Sequence, residues 1–308
     1  MGEVHRLIHE HGVEGAKALA TTKNERLAIE AAATLLGEDE SRLGITHAGF
    51  AMTSLPHKRI EETLWRREGH RTTLLVESGR DRRGNLVGIP YGSFARLILL
   101  YLQTEAVRTG SPEVELGRSM KGWMGRMSLT TGGRTYQLVT EQARRISACR
   151  LTFFTERNGG EARHNGAFVQ DAISFAGVID NDQPSLWQDK VRLDDGFWRS
   201  LKEHPVPVRE EAIRAISTRS LAIDVYIWLA YRLHSLTKPT VVSWTALHGQ
   251  FGAGFKLVRQ IKPTFLEALK LALAVYPEAH VEPDQNGITL YPSSPAVPRQ
   301  EARRLGLG

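Results

Sequence analysis

Apolar side chains recur at helical spacing in residues 254–277, GFKLVRQIKPTFLEALKLALAVYP, at Ile261, Phe265, Leu269, Ala272 and Tyr276. Lys256, Arg259, Lys262 and Lys270 give the same stretch a basic side. One face can therefore dock on a core while the other meets an anion. Just before it, VVSWTALHGQFGAG supplies a short apolar segment and a glycine-containing turn; just after it, AHVEPDQNGITLYP supplies two alternating runs joined by Asn286-Gly287. Helix, turn, basic helix and hairpin, in that order, make a winged helix.

The same order occurs earlier in the chain. PYGSFARLILLYLQTEAVRT carries Phe94, Leu97, Ile98, Tyr101, Leu102 and Ala106 on one helical face. A short strand at 114–116 follows, and then Ser119 is placed to cap a brief helix bearing Met120, Trp123, Met124 and Met127, a stripe that reads as core. A Gly-Gly turn leads into a second basic helix, RTYQLVTEQARRISACR, with Tyr136, Val139, Ala143 and Ile146 inward. LTFFTER, a polar loop and AFVQDAISFAG read as the hairpin that closes this first copy. In the second copy STRSLAIDVYIWLAYRLHSL takes the place of the helix after Pro90, Val241 and Val242 that of the strand, and Ser243 caps the helix of Trp244, Leu247 and Phe251. The repeat lies in the pattern, with little identity between the halves. The predicted class is α+β and helix-rich, with two tandem winged-helix domains and an N-terminal helical extension. Residues 1–55 form the extension and a linker at 44–56, residues 56–180 and 181–300 the two domains, and 301–308 a tail.

Outside the repeat, NERLAIEAAATLL predicts a helix in the N-terminal arm, closed by Gly37. Residues 72–77 predict a strand, and residues 80–85 a charged turn before another short strand. Around them Lys58, Arg59, Arg66, Arg67, Arg71, Arg80, Arg82 and Arg83 form a basic run, which reads either as a phosphate clamp or as a solvated loop.

Charge narrows the partner. A net charge of +6 and an isoelectric point near 9.5 favour an anionic partner, nucleic acid ahead of a membrane surface. A single cysteine, Cys149, excludes an internal disulfide and a multi-cysteine zinc site, and fits a reducing cytoplasm. No apolar run approaches a membrane span and the first residues are unlike a signal peptide, so the expectation is a soluble intracellular protein. His5, His9 and His11 lack acidic or cysteine partners at metal-ligand spacing, and Glu61 and Glu62, being adjacent, point to different sides of a helix. There is no GxxxxGK[ST] loop for ATP. No histidine pair separated by one apolar residue accompanies the tyrosines, as a DNA-nicking initiator would need. Asp180, Asp182, Asp194 and Asp195 fall in turn-like segments without matching acids. Neither catalysis, cofactor nor metal is expected.

The segments VGIPYGSFARLILLYLQTEA, LGRSMKGWMGRM, the Gly-Gly turn, LVTEQARRI, FKLVRQIKPTFLEALKLALAVYP and YPSSPAV together resemble the plasmid-encoded RepA-type replication initiators, over about residues 55–297. The resemblance implies a double-stranded DNA-binding protein with two winged helices that bind repeated sites at a plasmid origin. It implies help in opening the duplex, recruitment of host replication proteins such as the replicative helicase and the host initiator, and a homodimer that separates to bind repeats.

Carried onto this chain, the reading surface is the second basic helix of each half. In the first half it comprises Arg134, Thr135, Gln137 and Arg144, with Arg145 beside them or on the phosphates; in the second, Lys256, Arg259, Gln260 and Lys262, with Lys270 on a phosphate or plain surface. Arg and Lys can donate to guanine, and Gln can pair with adenine, in the major groove. Pro263 falls inside the second reading helix, which is therefore either kinked there or begins there; in the latter case Lys256 and Arg259 belong to the preceding loop. A winged-helix transcriptional regulator or a phage-borne DNA-binding protein would share the same pattern, as would a protein-interaction module without DNA affinity.

Overall fold

The computed structural model describes residues 2–37, 42–157, 160–170 and 190–304. It divides into two compact units, Met1–Ser54 with Val206–Gly308, and Leu55–Pro205. With 51% helix and 20% strand, it is α+β.

In chain order, the first unit begins with α1 (Glu3–Leu19), interrupted where Gly12 takes φ 68°. Helix α2 (Lys23–Leu36) starts at a capping box: the Thr22 hydroxyl accepts from Glu25 N, and the Glu25 carboxylate accepts from Thr22 N. Strand β1 (Leu43–His47) and the short α3 (Ala48–Met52) follow. The expected linker at 44–56 is therefore ordered structure. Ile45, Phe50, Ala51, Met52 and Leu55 are all buried, an apolar content that a solvated linker would not carry.

The second unit holds β2 (Leu64–Gly69), β3 (Thr72–Glu77), α4 (Gly92–Thr109), β4 (Glu113–Glu115), α5 (Met120–Arg126), α6 (Gly133–Ala148), β5 (Arg150–Arg157), β6 (Gly160–Ala167), β7 (Lys190–Arg192) and α7 (Asp195–Glu203). Its four-stranded antiparallel sheet has the order β2-β3-β5-β6, and β4 pairs with β7. The core is the inner face of α4 with Trp123, Met124, Val139, Ala143, Ile146, Leu74 and Phe153. The Ser119 hydroxyl accepts from Gly122 N and starts α5. The first hairpin differs from expectation. Strand β6 is GEARHNGA, read from sequence as a polar loop, and it is paired residue for residue with β5. The expected partner AFVQDAISFAG begins at the end of β6, and its residues 171–177 lie outside the described residues, as do Asp180 and Asp182.

The chain returns to the first unit through β8 (Pro205–Arg209), which pairs with β1, and then α8 (Glu210–Ala215) and α9 (Ser220–Arg232). Strand β9 (Thr240–Ser243), α10 (Trp244–Phe251), α11 (Val258–Ala274), β10 (Val281–Pro283), β11 (Gly287–Leu290) and α12 (Arg299–Arg304) complete it. The wing β10-β11 joins β9 in a three-stranded sheet. Beneath it Trp228, Phe251, Phe265 and Trp244 pack edge to face or tilted. The wing turn is built on Asp284, whose Oδ1 accepts from Asn286 N and Gly287 N. Gly287 lies in the strand and has no left-handed φ. It is required there because a Cβ would overlap the Val242 carbonyl oxygen.

The N-terminal helices pack within this unit. Helix α2 lies on α11, where Lys270 Nζ bonds Glu25 Oε1 at 3.0 Å and Asn24 Nδ2 donates to the Glu267 carbonyl at 3.2 Å. Among the described residues, no helix is long and apolar enough to cross a membrane.

Candidate nucleic-acid interface

In the second unit, α6 buries Val139, Ala143 and Ile146 and leaves Arg134, Gln137 and Arg144 exposed, with Thr135 half-buried. Its first turn holds no acidic residue, so the positive end of the helix dipole is not neutralised from within. Arg144 stands near the turn of residues 80–85. There Asp81 Oδ1 accepts from Asn85 N at 2.8 Å and Arg83 N at 2.9 Å. The Asn85 amide first, and Arg144 more weakly, hold the Asp81 carboxyl below its ordinary range. This turn holds Arg80, Arg82 and Arg83 at the surface beside α6. Elsewhere the basic run is partly compensated, Arg59 by Glu61 and Arg66 by Glu68.

Arg145 is not part of this surface. It is 5% exposed. Its Nη1 donates to the Ile89 carbonyl at 3.0 Å, its Nε and Nη2 donate to Glu141 Oε1, and its guanidinium lies over the Tyr91 ring. Next to it Gln142 Oε1 accepts from Tyr91 N at 2.8 Å. The inner polar side chains of α6 thus clamp the segment that leads into α4. Gly88, at φ 90°, has no side chain where Arg145 passes.

In the first unit, α11 starts at Val258 and runs through Pro263, which settles the alternative left open by the sequence. Arg259, Gln260 and Lys262 stand on its first two turns, and Lys256 lies in the turn before it. Proline has no N–H, so the helical bond to the Arg259 carbonyl is not made. Lys256, Arg259 and Gln260 are exposed, the first turn holds no acid, and no ion pair involves Lys256 or Arg259 among the described residues. Leu257, absent from the residues expected to touch DNA, is the N-cap and is 46% exposed. The only signal for it in the sequence is the apolar pair Leu257-Val258 between two cationic residues.

Two other expected contacts are engaged within the protein. The Lys262 ammonium lies 5.0 Å over the Trp244 ring and donates to the Asp284 carbonyl at 3.3 Å, which Trp244 Nε1 also approaches. It therefore ties α11 to the wing turn. Lys270 is paired with Glu25.

Asp194 caps α7 through Gly196 N and Phe197 N, and Asp195 pairs with Arg192, so both acids have structural partners. His5 is buried while His9 and His11 are exposed. No group of three or more His, Cys, Asp or Glu among the described residues could hold a metal ion.

The model of the family described as "Plasmid encoded RepA protein" matches residues 89–246, 158 of the 308 residues. The chain belongs to the plasmid-encoded RepA family of replication initiators. The match takes in α4 to α6 and reaches the start of α10. Among solved structures, a crystal structure of domains 2 and 3 of RctB, as a selenomethionine derivative, aligns with a TM-score of 0.51 at 11% identity. That alignment covers 82% of this chain and 97% of that one, and at this identity it shows a shared fold. A second RctB domain 2–3 structure aligns with a TM-score of 0.44 and 10% identity over 78% of this chain and 93% of that one. No curated protein matches this RepA-family sequence.

Proposed function

We propose that this RepA-family chain binds repeated double-stranded sites at a plasmid origin through the exposed faces of α6 and α11. The observation that carries the reading is shared by both units. Each has a winged helix whose second helix opens on a turn without acids and exposes cationic and amide side chains, Arg134 and Gln137 in one, Arg259 and Gln260 in the other. Helix N-termini of this kind face bases in the major groove, and exposed cations beside them meet phosphates. Arg144 with the turn of residues 80–85, and Lys256 before α11, supply the flanking positive charge. The chain acts in the bacterial cytoplasm without cutting DNA. It opens an adjacent AT-rich stretch, recruits the host replicative helicase and host initiator, and is a homodimer when not on the repeats.

Footprinting on the plasmid region next to the coding sequence tests this reading. Protection of directly repeated sites about two helical turns apart, beside an easily melted stretch, supports it. A single protected promoter palindrome, together with a cloned region that cannot replicate, would instead make the chain a regulator. Salt-independent or undetectable DNA affinity would remove both DNA readings.

A further inference from the structure

Leu257 is a large apolar side chain held at the surface, 46% exposed, at the N-cap of α11. Ser, Thr, Asp or Asn at that position would accept from a first-turn amide, and leucine forgoes that bond. The helix start is secured from the other direction, because Gln260 Oε1 accepts from Leu257 N at 3.1 Å. The Gln260 oxygen is thereby held on the cap, which turns its NH2 group toward a partner. One lone pair of that oxygen is thus taken up by the cap, whereas both N–H groups of the amide are open to a base. Lys256, the preceding residue, and Arg259, two residues on, are both exposed. The tip of the helix is thus one apolar side chain among cations and an amide donor, at the positive end of a helix dipole. A single leucine is too small for a protein-docking patch. The cations select a polyanion, and the apolar group that double-stranded DNA offers in its major groove is the thymine C5-methyl.

We propose that Leu257 packs on a thymine C5-methyl in the site read by α11, and that the Gln260 NH2 donates to an acceptor of the same A·T pair. This rests on the assignment of α11 as a reading helix. The unusual N-cap then has a function: a residue that is poor for capping is retained because it discriminates a base.

The experiment uses the full chain and a duplex that it selects from a randomised pool. Each thymine in the protected segments is replaced in turn by deoxyuridine, which removes only the methyl. One replacement is expected to weaken wild-type binding about fourfold, the effect of one buried methyl. Leu257→Ala is expected to bind the thymine and uracil duplexes alike, Leu257→Met to keep the difference, and Arg259→Ala to bind more weakly overall yet keep it. The proposal is overturned if wild type binds its selected duplex with no uracil-sensitive position, or if Leu257→Ala retains the sensitivity; DNA reading by α11 survives either result. If wild type selects no sequence, the reading by α11 falls, and the Leu257 assignment with it.

Discussion

Arg145→Ala separates a structural arginine from a DNA-contacting one. The Arg145 side chain is 6% exposed, whereas its partner Glu141 is 32% exposed. Truncation leaves the buried Ile89 carbonyl without its donor, which costs about 1–3 kcal/mol. It also removes a partly buried cation–π contact with Tyr91, about 1 kcal/mol, and leaves a void beside Gly88. Glu141 can turn toward water, so its lost partner adds little. The expected destabilisation, from the lost carbonyl donor and the lost ring contact, is about 3 kcal/mol. In a unit the size of Leu55–Pro205 that lowers Tm by about 6–12 °C. Arg144→Ala, one residue away and exposed, should stay within about 0.5 kcal/mol of wild type. Urea unfolding read by hydrogen exchange in peptides from α4 and α6 reports on this unit separately from the other. The reasoning is refuted if Arg145→Ala leaves α6 fully protected while reducing the salt dependence of DNA affinity by about one phosphate contact.

Arg259→Ala should cost about 1–3 kcal/mol on the preferred site and relax selection at one base position, as read by competition between specific and random duplexes; equal losses on both would make it a phosphate contact. Lys262→Met keeps an apolar stem over Trp244 but cannot donate to the Asp284 carbonyl, so it should lower the stability of the wing by about 1 kcal/mol and leave the salt slope of binding unchanged. Gly287→Ala would force β11 away from the Val242 carbonyl and should destabilise the wing sheet by about 2 kcal/mol in urea titration. The hydrogen bond from Lys270, and then those from Thr21, lower the Glu25 carboxyl to about 2. Because the folded value is depressed, the contribution of the pair is complete above the ordinary carboxylate value and is lost as pH falls from about 4.5 toward 2. Glu25→Gln should therefore differ from wild type in stability at pH 6 and converge with it near pH 2, in an unfolding series across that range.

The long helices were legible because apolar residues recur along them at helical spacing: α4, α6, α9 and α11 each stand where the 3.6-residue period put them, α6 and α11 burying one face and α4 and α9 buried on nearly all sides. Strands β2 and β6 were not, because LWRREG and GEARHNGA carry little apolar alternation. They occupy the two edges of the sheet, and cross-strand bonding to β3 and β5 makes them strands. The placement of the N-terminal helices was hidden for another reason. Helix α2, which buries Ala28, Ile29, Ala31 and Ala32, packs on α11 as well as on its neighbour α1; there Glu25 meets Lys270, 245 residues along the chain, and no local period encodes a contact at that separation.

The proposed reading surface shows the same division between local and distant information. A basic helix read from sequence offers all its cations equally. Arg145 could have been set apart, since Glu141 stands four residues before it on the same face and an i,i+4 pair is a local signal. Lys262 and Lys270 could not, because Asp284 and Glu25 reach them only through the wing and the docked N-terminal helix. On α11, removing these two leaves Lys256, Arg259 and Gln260, gathered around Leu257 at the first turn. The surviving surface is smaller than the basic face of the sequence, and it carries an apolar side chain at its centre. If α11 reads DNA as proposed, its outlying charge would set affinity and register, and discrimination between bases would fall to the few side chains of its first turn.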